Sequence, residues 1–224
     1  MDKMEKEQHV LVVLPHPDDE AFGASGTIAA HIANGTPVTY ACLTLGEMGR
    51  NLGDPPFATR ESLPLIRKQE LQNAANVLGI QDLRMLGYRD KTVEFEDVEK
   101  LIHDFTSIIE EVNPTLVISF YPGYAVHPDH DATGAAVVKT LERIPENKRP
   151  KLHCLAFSHG CEEEIGQADI VYDVSKVAQT KMDAILSHAS QAQLMVADMK
   201  ERYNQGDIEV ITRMNTERFW TYKF

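Results

Sequence analysis

Two short clusters hold most of the residues whose types and spacing could do chemistry. The first is Pro15-His16-Pro17-Asp18-Asp19-Glu20, an imidazole followed by three consecutive carboxylates. The second is His127-Pro128-Asp129-His130-Asp131. Carboxylates packed side by side repel one another unless a cation or water lies among them. A metal ion resolves that conflict. Imidazole and carboxylate together suit zinc, held by three protein ligands with a fourth position open to water.

The elements that must carry these clusters are alike. Val10-Leu11-Val12-Val13-Leu14 is an apolar run without alternation, the pattern of a strand buried on both faces. It ends at the first cluster, where Pro17 pushes His16 away from helical geometry. Residues 115–120 form a second such run, which leads through a Pro/Gly turn at 121–126 into the second cluster. If both strands belong to one parallel sheet, both turns leave the same edge. The clusters then face each other across the crevice where open α/β sheets bind ligands.

The rest of the chain supports that sheet. Helical patterns at 24–33, Leu63–Leu78, Val98–Val112, 131–141 and 176–203, the last broken near 187–190, alternate with strand-like runs at 38–45, 82–86, 152–158 and 170–174. Gly and Pro crowd the loop at 46–58, a length that often signals function. The tail at 208–224 is ambiguous, with strand-like alternation only at 218–222. The expectation is an α/β fold, a Rossmann-like, mostly parallel sheet with helices on both faces, in a single domain spanning 1–224. Gly23-Ala24-Ser25-Gly26 lacks dinucleotide-binding spacing and reads instead as a close approach of helix to sheet.

A net charge of -12 argues against nucleic acid and anionic membranes as partners. No stretch reaches the roughly 20 apolar residues of a spanning helix, and residues 1–7 are polar with no signal-peptide core. The three cysteines, Cys42, Cys154 and Cys161, form no C-x-x-C pair and no disulfide framework. The protein is therefore expected in the cytoplasm.

The two His-Pro-Asp clusters in this order resemble the PIG-L/LmbE family of zinc N-deacetylases. The resemblance extends to Thr44-Leu45-Gly46-Glu47, Arg67-Lys68-Gln69-Glu70 and Gly87-Tyr88-Arg89-Asp90. It implies a zinc-dependent enzyme that removes the acyl group from N-acetylglucosaminyl compounds. The flanking sequence points to N-acetylglucosaminyl L-malate, of bacillithiol biosynthesis. It also implies one Zn2+ per chain, with Fe2+ possible in a reducing cell, an amino-sugar substrate and a homo-oligomer.

By the same resemblance, His16, Asp19 and His130 are the metal ligands. Asp18 is the general base, taking a proton from water and returning it to the departing amine. His127 stabilises the oxyanion as an imidazolium, oriented by Asp129, or else serves as a fourth ligand. Glu20 reads as an acid matching a helix dipole. Arg67, Asp90 and Glu47 are the candidate substrate contacts. Several bacillithiol-type members carry an Arg directly before the second motif where this chain has Val126, so Arg50, Arg60 or Arg89 would supply that charge. The rival readings are the same chemistry on a thiol S-conjugate or chitooligosaccharide, a metal-dependent phosphoesterase, and a sugar-binding module without catalysis.

Overall fold

Residues 4–224 are described by a computed structural model, so Met1–Lys3 of the polar N-terminal segment lie outside it. The strands among the described residues are β1 (Val10–Leu14), β2 (Val38–Cys42), β3 (Asp82–Met85), β4 (Leu116–Phe120), β5 (Lys151–Leu155), β6 (Ile170–Asp173) and β7 (Thr216–Thr221). They form one sheet in the order β3-β2-β1-β4-β5-β7-β6. The first five strands of that order are mutually parallel, and β7 runs antiparallel to both β5 and β6. The helices are α1 (Asp19–Gly23), α2 (Ser25–Ala33), α3 (Leu63–Leu78), α4 (Val98–Val112), α5 (Pro128–Glu142), α6 (Cys161–Ile165), α7 (Ala178–Ser187), α8 (Ala189–Asn204) and α9 (Ile208–Asn215).

Successive side chains of a strand point to opposite faces, and β1 shows the result directly. Val10, Val12 and Leu14 pack in a core with α2, α3, α7 and α8, whereas Leu11 and Val13 pack in a second core with α4 and α5. Every residue of β1, β2 and β4 is buried, as continuous apolar runs require when helices cover both faces. This is the expected α/β architecture, mostly parallel and Rossmann-like. No helix among the described residues is long and apolar enough to cross a membrane.

Several elements differ from the sequence expectation. α5 begins at Pro128 rather than at 131, because Pro is pre-organised for the first helical position and His127 caps the helix. The second cluster is thus a helix's first turn, not a loop. The ambiguous tail splits into α9, capped by the Asp207 side chain, and β7. α1 and α6, five residues each, are too short to leave a periodic signal.

Gly23 meets the expectation of close approach to the sheet: a Cβ there would lie 2.6 Å from the Leu155 side chain of β5, and one at Gly26 would lie 2.7 Å from Val174, just past β6. Gly26 N–H and Thr27 N–H, at the start of α2, donate to the Glu217 carboxylate of β7 at 2.9 and 2.7 Å. Lys181 of α7 completes that buried group, 2.8 Å from Glu217.

Candidate active site

β1 and β4 are neighbours, with Val10, Leu11 and Val12 in register with Leu116, Val117 and Ile118. The Ser119 hydroxyl donates to the Val13 carbonyl at 2.8 Å and ties the strands together near their carboxyl ends. The turn after β1 presents His16 and Asp18 and runs into α1, which opens with Asp19. The loop after β4 ends at His127, and the first turn of α5 presents Asp129 and His130. Two non-glycine residues at these turns have left-handed backbones, Asp18 at φ 100° and Val126 at φ 55°. Such strain, concentrated beside two polar clusters, is typical of functional sites.

Three donor atoms converge. His16 Nδ1 lies 3.0 Å from His130 Nε2 and 3.4 Å from Asp19 Oδ2, and His130 Nε2 lies 3.2 Å from Asp19 Oδ1. A tetrahedral zinc with bonds of 2.0–2.2 Å has ligand atoms about 3.3–3.6 Å apart, so the spacing suits one small ion after slight adjustment. The hydrogen bonds fix the tautomers. His130 Nδ1 is 2.9 Å from the Ala125 carbonyl, which can only accept, so its proton sits there and Nε2 offers a lone pair. His16 Nε2 is 3.2 Å from both Asp90 Oδ1 and Asp129 Oδ2, so its proton faces carboxylates and Nδ1 offers a lone pair. Two lone pairs and a carboxylate aimed at one point need a cation between them.

The electrostatics agree. Burial pulls the His16 imidazole down, yet hydrogen bonds to Asp129, Asp19 and Asp90 outweigh it and hold its pKa well above the usual range. Burial pushes Asp19 up, but His130 and His16 hold it far below a normal carboxylate. The donor set therefore demands positive charge at its centre, and a divalent ion fits. Two other trios also converge on His16, one with His127 and His130, the other with Asp90 and Asp129. In the second, Asp129 already accepts from Lys91 N–H at 2.7 Å and Val93 N–H at 3.1 Å, which makes it a support for His16.

Asp18 stands beside the ligands, its side chain one-fifth exposed, with Arg67 Nη2 3.0 Å from Oδ2. Burial, opposed by Arg67 and reinforced by Asp19, pushes its pKa up to about 6. His127 is half-buried at the rim, its ring 4.9 Å from that of His16 and 5.2 Å from that of His130. The expected Asp129 contact reaches it differently: the Asp129 backbone N–H donates to His127 Nδ1 at 3.1 Å, while the carboxylate serves His16. Burial, followed by His16 and His130, lowers the His127 pKa against the pull of Asp129 and Asp90. With Nδ1 accepting from the Asp129 N–H, the ring's other nitrogen, Nε2, is the one that can carry a donatable proton.

The three candidate substrate contacts gather at the same edge but are engaged by the protein. Arg67, 4% exposed, donates to the carbonyls of Pro17 and Gly46 as well as to Asp18. Asp90 accepts from Met48 N–H at 2.7 Å and faces His16. Glu47 accepts from Asp90 N–H at 3.1 Å.

Sequence reasoning missed a buried group beneath the first turn. Glu20 is fully buried; one oxygen accepts from Asp18 N–H at 3.1 Å and Tyr40 O–H at 3.0 Å, and the other lies 2.6 Å from His188 Nε2. Glu20 thus clamps the strained Asp18 backbone. Behind it, Glu70 binds Ser190 N–H at 2.7 Å. The one signal for His188 was its place at the break between two helical patterns.

Residues 11–141 match a sequence model of the family described as PIG-L, GlcNAc-PI de-N-acetylase. A relative in Bacillus anthracis named probable N-acetyl-alpha-D-glucosaminyl L-malate deacetylase 2 is 53% identical, over 99% of this chain and 98% of its own length. A protein of the same name in Bacillus subtilis (strain 168) is 50% identical, over 97% of this chain and 98% of its own. The fold is also that of the N,N'-diacetylchitobiose deacetylase from Pyrococcus horikoshii, solved with its inhibitor MPG. That match has a TM-score of 0.75 and 24% identity, covering 96% of this chain and 84% of the other.

Proposed function

Because the chain belongs to the PIG-L family, we propose that it is a zinc-dependent N-deacetylase that releases acetate from N-acetylglucosaminyl L-malate. The observation that carries this reading is the convergence of His16 Nδ1, Asp19 and His130 Nε2, with Asp18 beside them, in a chain about half identical to deacetylases of that name along its whole length.

An ion held by His16, Asp19 and His130 would polarise the amide carbonyl and acidify a water next to it. Asp18 takes a proton from the attacking water, and a pKa near 6 keeps it largely ionised at neutral pH yet able to hold that proton briefly. It then delivers the proton to the departing nitrogen as the C–N bond breaks, giving acetate and a free amine. Arg67 and Glu20 keep Asp18 in place throughout. His127, fixed by the Asp129 N–H with its own proton on Nε2, donates to the developing oxyanion. Asp129 and Asp90 hold the His16 ring.

The proposal extends to one deacetylase domain over 1–224, acting in the cytoplasm as a homo-oligomer. Three buried free thiols support a reducing compartment. Exposed Leu65 of α3 and Leu194 of α8, on helices in contact, support self-association, which light scattering would measure.

The deciding experiment is acetate release from a panel of N-acetylglucosaminides, with metal content measured on the same gently purified protein. The expected result is one divalent ion per chain, loss of activity on chelation, recovery with zinc, and the highest kcat/KM on the malate compound. Full activity in metal-free protein would end the proposal.

A further inference from the structure

One strand beyond the metal-binding cluster, at the same edge of the sheet, lies a cavity of about 620 Å³. That is within the roughly 300–1,000 Å³ range of small-molecule sites. Phe22, Leu155, Phe157, Ile208 and Arg213 line it. Two of these tie it to the reaction centre. Phe22 is on α1, the helix that opens with the ligand Asp19. Phe157 packs against Phe120 and His130, with ring centroids 5.7 and 6.0 Å apart, and so borders both the cavity and the cluster.

The charges around the cavity are unequally matched. Lys181 is paired with Glu217 and Arg218 with Glu162, and Glu209 lies 3.5 Å from Arg202. Among the described residues, the Arg213 side chain alone of the cations lining the cavity has no carboxylate partner. The proposed metal ligands and Asp18 use none of these groups. An exposed guanidinium without an ion-pair partner at the wall of a partly apolar cavity, in a chain of net charge -12, is a fitting contact for an anion.

We propose that this cavity is the aglycone subsite, in which Arg213 pairs with a carboxylate of a dicarboxylic aglycone while the neighbouring acetamido group lies at His16, Asp19 and His130. The inference rests on the N-acetylglucosaminyl malate reading and deepens it. In that substrate the aglycone and the acetamido group sit on adjacent carbons of one sugar ring, and Phe157 lines the cavity while packing on His130. Arg213 thus supplies the charge that the sequence lacks at Val126, in place of Arg50, Arg60 or Arg89.

The test compares holoenzyme with R213Q and R213K on N-acetylglucosaminyl L-malate, N-acetylglucosamine and N,N'-diacetylchitobiose. A charged hydrogen bond lost on binding alone raises KM roughly tenfold or more and leaves kcat within about twofold. R213Q should show that rise on the malate compound only, and R213K should recover most of it. An unchanged KM on the malate compound, or an equal rise on all three substrates, overturns the subsite while leaving the deacetylase standing. A wild-type enzyme that releases acetate from none of the three overturns the proposed function itself, and the subsite with it.

Discussion

The two nitrogens of His16 have opposite tasks, and the carboxylates behind the ring decide which is which. Asp129 and Asp90 take the Nε2 proton and so turn the Nδ1 lone pair toward Asp19 and His130. Asp129→Asn should therefore weaken metal affinity by about 10–100-fold, as losses of supporting carboxylates do elsewhere. Competition with a chromophoric chelator would measure it, and wild-type affinity would remove Asp129 from that role. Asp18→Asn should keep the metal and lower kcat by about 100-fold or more, the scale of general-base loss. Arg67→Ala should lower kcat alike on anionic and neutral substrates, because its guanidinium is held by Pro17, Gly46 and Asp18. A KM rise confined to the anionic substrate would instead make Arg67 a substrate ligand. The contrast between Arg67 and Arg213 marks what was legible in the sequence at this scale. The candidate metal ligands could be proposed from sequence because they fall in two short, chemically unusual clusters. The direction in which Arg67 points could not, since an R-x-x-E pattern on a helix gives residue type and spacing but not partner. Glu20, Tyr40 and His188 come from three separate elements and meet only when the chain folds.

α5 carries two members of the site in its first turn, so its distance from the sheet sets their positions. That distance is fixed by Gly134. A Cβ there would stand 2.3 Å from the Phe120 carbonyl oxygen, and backbone cannot yield as a flexible side chain does. Gly134→Ala should push α5 off β4, with a cost of about 1–3 kcal/mol typical of overpacking. It should also move His130 away from His16. The checks are thermal unfolding and metal content, and an unchanged Tm would show that the helix can shift freely. Other elements were read from sequence according to how their signals arise. Continuous apolar runs and the Gly79 and Asn113 helix stops placed β1, α3 and α4 correctly. Strand ends were overextended, at 38–45 and 152–158, because apolar character continues beyond the last ladder pair. β7 was half visible: its alternation is that of a strand, but nothing local says that it inserts between β5 and β6.

For the whole molecule, the acid side of stability has a specific contributor far from the site. His31 is 1% exposed and neither ring nitrogen has a hydrogen-bond partner. Burial, with Glu7 opposing it, pulls its pKa down to about 4 from the usual 6.5. The folded chain thus refuses a proton that the unfolded chain accepts between those values. The His31 contribution to stability is complete above pH 6.5 and is lost as pH drops toward 4, about 3 kcal/mol in all. His31→Leu should flatten the pH dependence of the urea midpoint across that window, by about 1 kcal/mol per pH unit. Equal slopes in both proteins would mean that His31 titrates alike folded and unfolded. The place of β7 has a consequence in time. Among the described residues β6 has β7 as its strand neighbour, and α2 receives its N-terminal hydrogen-bond acceptor from Glu217 on that same strand. On the ribosome both wait for a segment made later, and at about 5–20 residues per second β6 waits on the order of seconds. During that interval β6 lacks β7, Lys181 lacks the Glu217 carboxylate, and the first turn of α2 lacks its acceptor. Synthesis therefore passes through a state in which the turns carrying His16, Asp19 and His130 have already been made while the sheet that frames them still lacks β7. That state is where a chaperone or protease would find this chain.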